Sequence, residues 1–193
     1  MKAPQNTKIP ESRKDEIGIK NVFVCSMADL FGEWMPSDII YQVFEVCREN
    51  KQFNYLFLTK NPARYAQLVK EKEGFEFPDN CWLGATADTH ARFVKAYDAF
   101  IELEENNGGC NNIKFLSCEP LQEDLLHSNI TNTDYDLIFF NWIIIGGMKN
   151  SENKDTQPKW EWVESLLKKA REDKCQIYFK PNLTVRPKEY PQS

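Results

Sequence analysis

Six short apolar runs of this chain each end in polar residues or glycines, the residue types best suited to chemistry. The runs read NVFVCSMAD, YLFLTKNP, CWLGATAD, IKFLSCEPL, WIIIGG and QIYFKPN. Their β-branched and aromatic residues are typical of buried strands. Binding and catalytic groups of parallel α/β proteins collect where the strands end. We therefore expect any function of this chain to lie at these strand ends.

Three charged residues are the strongest candidates. Lys60 and Lys180 stand where predicted strands emerge, and Lys60 adjoins the positive end of a predicted helix, where a cation is disfavoured. Alternation places Glu119 on the same strand face as Ser117, whereas Cys118 points to the opposite face and is predicted to be core. The three charges are expected to meet an anionic or zwitterionic ligand.

The other strand-end groups have simpler explanations beside the functional one. Ser26, Thr86 and Ser117 would satisfy backbone groups in turns, and the pair Gly146 and Gly147 would make a tight turn or let a cofactor approach the backbone. Predicted N-caps of helices are Ser37, Asn61 and Asp88. His90 and His127, the only histidines, fall on predicted helices, which does not favour a catalytic triad or a zinc site.

The elements that position these residues alternate between strand and helix. Predicted strands cover 21–29, 54–60, 81–87, 113–118, part of 137–147, and 176–180, and predicted helices cover 37–50, 62–72, 88–105, 120–127 and 159–174. Residues 150–157 are predicted to be a polar loop. Successive strands start 27 to 35 positions apart, as expected for βα units. Right-handed crossovers then predict a parallel sheet.

Two α/β architectures fit this alternation, a doubly wound open sheet and part of a (β/α) barrel. A barrel brings every strand end to one mouth, and all six ends here are polar or glycine-rich, which favours the barrel. A complete barrel has eight units in about 250 residues. We therefore predict an incomplete barrel of six units, with residues 1–20 as an extended arm and 21–193 as a single α/β domain.

Composition sets broad limits on function. The net charge of −5 and pI near 5.2 argue against a broadly basic nucleic-acid surface, although a local basic patch remains compatible. The six cysteines are isolated along the chain, which favours free thiols in a reducing cytoplasm. The first twenty residues resemble neither a signal peptide nor an anchor, and no apolar run reaches the length of a membrane span.

The ordered motifs FVCSMADLFGEWMP, FLTKNPARY, NCWLGATAD, KFLSCEPL, WIIIGG and FKPNL, followed by RPKEYP, resemble a phage-associated family of unknown function that carries a three-cysteine motif. That family looks like a radical S-adenosylmethionine (SAM) barrel distantly similar to spore photoproduct lyase. The match runs from about Ala3 to Pro191. By this resemblance, the SAM and substrate mouth would be lined by Ser26, Thr59, Lys60, Thr86, Ser117, Glu119, Gly146, Gly147 and Lys180.

The chain also departs from the family pattern. In full-length members an N-terminal stretch supplies two strands and the cysteines that hold a [4Fe-4S] cluster, and this sequence begins after that stretch. No CxxxCxxC-like group is present. The resemblance therefore implies a C-terminal barrel portion that retains a SAM pocket wall, lacks the cluster and is inactive alone. Its expected partner is the missing N-terminal segment or another protein.

Two rival functions remain open at this point. One is a non-catalytic binding or assembly module that covers open strand edges with a partner. The other is an ordinary α/β enzyme that uses Lys60, Glu119 and Lys180 on a small anionic substrate. The sequence does not decide whether nucleic acid is bound.

Overall fold

The structure, a computed structural model, describes residues 21–106, 110–127, 135–149 and 155–185. The predicted arm at 1–20 therefore lies outside the described residues. The helices are α1 (Ser37–Glu49), α2 (Ala63–Glu71), α3 (His90–Asn106) and α4 (Trp160–Glu172). The strands are β1 (Asn21–Phe23), β2 (Asn54–Thr59), β3 (Cys81–Thr86), β4 (Lys114–Cys118), β5 (Trp142–Ile145), β6 (Met148–Lys149), β7 (Asp155–Thr156) and β8 (Gln176–Phe179).

The main sheet has the strand order β1-β2-β3-β4-β5-β8, and the strand pairs β1–β2, β2–β3, β4–β5 and β5–β8 are parallel. Each successive strand of the main sheet therefore lies beside the one before it. A doubly wound sheet would instead reverse direction at a switch point. The predicted α/β fold, an incomplete (β/α) barrel, is confirmed.

The chain comprises two compact units. Of the described residues, unit 1 contains those up to Ala85 together with those of Lys95–Lys114, and unit 2 contains Thr86–Val94 and those from Phe115 onward. The prediction of a single domain over 21–193 stays a prediction.

The core of unit 1 is aromatic. Phe31, Phe44, Phe57 and Tyr65 are fully buried, and the rings of Phe31 and Tyr65 lie 4.6 Å apart in an edge-to-face contact. The Tyr65 hydroxyl donates a hydrogen bond of 3.0 Å to the carbonyl of Gly84 in β3. This bond satisfies the one polar atom of a side chain that is otherwise well suited to the core.

The core of unit 2 is aliphatic around the last strands. Ile143 and Ile145 of β5 are fully buried, as are Val163, Leu166 and Ala170 on one face of α4. Cys118 is also fully buried, which confirms its prediction as core.

Three predicted elements differ from the structure. The first strand ends at Phe23 instead of residue 29, because Cys25 adopts a positive φ of 54° and turns the chain. The predicted helix at 120–127 is absent, because the Asp124 carboxylate accepts hydrogen bonds from the amides of Leu126 and His127 in a local turn. The predicted loop at 150–157 contains β7, which pairs antiparallel with β6.

The helix starts also differ from prediction, because tertiary contacts recruit the predicted caps. Pro36 precedes α1, and the Ser37 hydroxyl donates to Glu71 instead. The Asn61 amide donates to the carbonyl of Phe31. At α3 the capping contact comes from Thr89, whose hydroxyl accepts from the Arg92 amide at 3.4 Å.

Candidate functional site

Glu119 and Lys180 form the ion pair around which the candidate site is built. Glu119 directly follows β4 and Lys180 directly follows β8, and the Lys180 ammonium donates to Glu119 Oε2. The Asn182 amide donates to the other carboxylate oxygen at 2.9 Å. The side chains of Glu119 and Lys180 are 26% and 40% exposed, so the ion pair is only partly removed from solvent.

The backbone around Glu119 is held by hydrogen bonds on both sides. The Gly146 amide donates to the carbonyl of Cys118 at 3.2 Å, and the Leu121 amide donates to the carbonyl of Gly146 at 3.3 Å. The Gln122 amide donates to the carbonyl of Asp88, at 2.9 Å. The Glu119–Pro120 peptide is cis. The carboxylate therefore projects from a backbone that the segments after β3 and β5 keep in place.

Gly146 and Gly147 make room for two side chains of this same chain. A Cβ added at Gly146 would lie 2.9 Å from Cγ and Oε1 of Glu119, and one at Gly147 would lie within 2.8 Å of the Gln157 amide group. Glu119 and Gln157 thus lie close against the two glycines, and the approach of a cofactor to this backbone stays a prediction. The glycine pair shapes the site by admitting these side chains.

Two amides of the site escaped sequence reasoning. The side-chain amide of Asn182 donates to the carbonyl of Gly147 at 2.7 Å as well as to Glu119. The backbone carbonyl of Asn182 accepts from the side-chain amide of Gln157 at 3.0 Å. The Asn182 side-chain oxygen is buried and has no hydrogen-bond partner within the described residues. An orphaned buried acceptor is unfavourable unless a donor reaches it. Asn182 lies two positions after Lys180, and that spacing was the available signal.

The remaining predicted residues of unit 2 belong to the strands and turns that surround the ion pair. Thr86 is the half-buried last residue of β3, and Ser117 is buried with its carbonyl accepting from the Ala87 amide at 2.9 Å. Asp88 is 6% exposed and binds the Arg92 guanidinium through both carboxylate oxygens. The side-chain amide of Gln122 donates to Asp88 Oδ2 at 3.0 Å. Asp88 is therefore a paired buried charge instead of the predicted helix cap.

Two of the predicted residues of unit 1, Thr59 and Lys60, bind Asp29, which was not predicted as a site residue. Oδ2 of Asp29 accepts from the hydroxyl of the buried Thr59 and from the amide of Lys60, both at 3.0 Å. Oδ1 accepts from the Phe31 amide at 3.0 Å. The side chains of Lys60 and Ser26 are exposed. Thr59 therefore ties the turn after β2 to the loop after β1.

A serine, a histidine and an aspartate meet in unit 2, but their geometry is not that of a catalytic triad. His127 Nδ1 lies 3.2 Å from Asp124 Oδ2 and 3.3 Å from the Ser165 hydroxyl. A triad needs the acid and the nucleophile on different ring nitrogens. With both partners on one nitrogen, the imidazole cannot relay a proton between them.

The described cysteines do not fit an iron–sulfur cluster. All six are free, and all but Cys25 are buried. Burial raises the pKa of Cys175 to about 12 and that of Cys118 well above its usual range, which favours thiols over the thiolates that bind iron. Within the described ranges no three histidine, cysteine or acidic side chains form a group suited to a metal ion.

Comparisons with known proteins assign a family to the chain. No curated protein and no solved structure matches it. Among the residues described, none of the helices is long and apolar enough to span a bilayer. A family model described as a protein of unknown function (DUF5131) matches residues 2–189. The chain therefore belongs to this family of unknown function, DUF5131.

Proposed function

We propose that this chain is the C-terminal barrel portion of a radical-SAM-like, phage-associated protein and that it binds the methionyl end of SAM. The observation that carries the proposal is the pairing of Glu119 and Lys180, opposite charges that remain partly exposed at strand ends. Support also comes from the parallel strands in barrel order, because barrel enzymes place their sites at the carboxyl ends of the strands.

The site offers matched partners for an α-amino acid group. The Lys180 ammonium would receive the ligand carboxylate, and the Glu119 carboxylate would receive the ligand ammonium. The buried side-chain oxygen of Asn182 accepts no hydrogen bond from the described residues and would take a further donor. The amino-acid end of SAM would thus replace one ion pair by two, with neither Glu119 nor Lys180 left unpaired.

The chemistry of this class needs two groups, and only one of them fits this chain. SAM, when bound, supplies a sulfonium carbon–sulfur bond for reductive cleavage. The [4Fe-4S] cluster that would reduce it does not fit the thiols described above. We propose that a further segment or another protein supplies the cluster and that the chain is inactive alone.

A calorimetric titration of SAM tests the binding proposal. Glu119→Gln and Lys180→Met should each weaken SAM binding about tenfold or more, because one ligand charge would then be left unpaired. Lys70→Met is the matched control, since Lys70 makes a more exposed ion pair with Glu102 at 2.6 Å in unit 1. Free methionine should compete with SAM. Unchanged affinity in both site variants would refute the proposal.

The second candidate function is a non-catalytic binding or assembly module, and the edge strands favour it. β1 and β8 stand at the two ends of the strand order, and their Phe23 and Tyr178 side chains are each 46% exposed. A partner strand would pair with these edges and cover the rings. Concentration-dependent self-association that Phe23→Ser weakens and Glu119→Gln leaves unchanged would favour this function.

The third candidate, an α/β enzyme acting on a small anion, has less support. Its proposed residues were Lys60, Glu119 and Lys180, and the Lys180 charge is already balanced by Glu119. Binding of sulfate or phosphate to the parent protein, together with its loss in Lys180→Met, would support this third candidate.

A further inference from the structure

Trp34 is an exposed indole on the loop between β1 and α1, and its ring is backed by a glycine. Its side chain is 74% exposed, whereas Gly32 two residues earlier is buried. A Cβ added at Gly32 would come within 2.6 Å of three consecutive ring atoms, Cε2, Cζ2 and Cη2. Nearly equal distances to three neighbouring atoms place Gly32 over the face of the ring, since an edge-on approach would leave the outer two atoms much farther away. One indole face therefore rests on the backbone.

The loop that carries Trp34 is held on both sides of the indole. Before it, Asp29 binds the Phe31 amide and the Lys60 amide, and the carbonyl of Phe31 accepts from Asn61. After it, the Met35 amide donates to the carbonyl of Gly32 at 3.0 Å, and the Met35 carbonyl accepts from a guanidinium at 3.3 Å. The ring is thus presented from a backbone with little freedom left to lose on binding.

We propose that Trp34 is a stacking platform for a nucleobase. A flat aromatic surface with one supported face and one open face accepts another planar ring, and every base offers a π-face. Lys60 stands on the adjoining turn, where its ammonium group is exposed and has no carboxylate partner among the described residues, and it would attract the phosphate of a nucleotide. The proposal does not depend on the proposed SAM site, which lies in unit 2.

The charge of the chain selects between two sources of the base. Glu33, next to Trp34, is exposed, and the net charge is −5, so a long polyanion is disfavoured. A free mononucleotide is therefore the expected ligand, with a nucleic-acid strand as the alternative source of the same ring. Binding of either source through Trp34 supports the platform.

The test is a calorimetric titration of the whole chain with adenosine monophosphate and, separately, with a short adenine oligonucleotide, with the tryptophan emission of the parent protein recorded alongside. We expect adenosine monophosphate to quench tryptophan emission and Trp34→Leu to weaken this binding on the order of 10- to 100-fold. Trp34→Phe should retain part of the affinity that Trp34→Leu loses. Lys60→Met should weaken the binding of adenosine monophosphate but not the binding of adenosine. Inorganic phosphate should cause no quenching.

Met27→Ala is the matched control, because Met27 is an equally apolar side chain of the same loop and is 96% exposed. It should leave the affinity unchanged. Absence of quenching by both probes would overturn the proposal, as would equal losses in Trp34→Leu and Met27→Ala. Because both side chains are exposed, the variants should fold, and circular dichroism will verify this.

Discussion

Replacing Gly146 by alanine should set the new methyl group against Glu119. The added Cβ would lie 2.9 Å from Cγ and Oε1 of that side chain, well inside the normal carbon–carbon contact distance of about 3.5–4.0 Å. No positive φ requires glycine at this position. The clash is therefore the main consequence, and Glu119 must move to relieve it.

The magnitude follows from the contacts that Glu119 would lose. Its hydrogen bond with Asn182 is worth about 1 kcal/mol, and its partly exposed ion pair with Lys180 is worth up to about 1 kcal/mol. The clash should thus lower the free energy of unfolding by about 1–2 kcal/mol. Alanine restricts the unfolded chain and returns about 0.4–1 kcal/mol, an effect that does not depend on Glu119.

A double-mutant cycle separates the two effects. In a Glu119→Ala background Cγ is absent, so Gly146→Ala should become neutral or slightly stabilising, with a coupling energy of about 1–2 kcal/mol. Urea unfolding followed by circular dichroism gives the four free energies. The control is Gly147→Ala, which should couple to Gln157→Ala and not to Glu119→Ala. If Gly146→Ala destabilises both backgrounds equally, the packing of Glu119 on Gly146 is refuted.

Three further predictions concern stability and metal content. Hydrogen bonding from Ser37 lowers the pKa of Glu71. The stability that this bond contributes is therefore present above the ordinary glutamate pKa and is lost as the pH falls through the lowered pKa. In urea titrations, Ser37→Ala should lower the stability of the protein at neutral pH and have the same stability as the parent protein at acid pH. Asp29→Ala removes the acceptor of three hydrogen bonds and should lower the free energy of unfolding by about 2–3 kcal/mol, against about 0.5 kcal/mol or less for the exposed Asp79→Ala, and equal losses would contradict the contacts of Asp29. Anaerobic reconstitution with iron and sulfide should yield no stoichiometric four-iron cluster, and a well-defined four-iron signal in electron paramagnetic resonance after reduction would prove this wrong.

The sequence predicts the incomplete barrel and places Glu119 and Lys180 at strand ends, because both follow from general rules. Buried parallel strands show as short apolar runs, and right-handed connections between successive strands leave few arrangements of the sheet. Residues that follow parallel strands then emerge at one end of the sheet.

The rest of the site depends on contacts that local patterns do not contain. Gln157 and the carbonyl it binds at Asn182 are 25 positions apart, so their meeting depends on where α4 and β8 return the chain. Asp88 has the local pattern of a helix cap, yet Arg92 and Gln122 occupy its carboxylate. Similarly, a turn replaces the predicted helix at 120–127, because the Asp124 carboxylate accepts hydrogen bonds from two amides of the same segment.

The shared carboxylate of Asp29 links the hydrogen exchange of two backbone amides. The amides of Phe31 and Lys60 belong to different turns, yet both are held by this single side chain. Rotation of the carboxylate, or detachment of its loop, would break both hydrogen bonds in one opening event and expose both amides to solvent. In hydrogen–deuterium exchange, the two amides should therefore share one opening free energy, and the Lys60 amide, at the end of β2, would report how often the loop that carries Trp34 leaves the sheet.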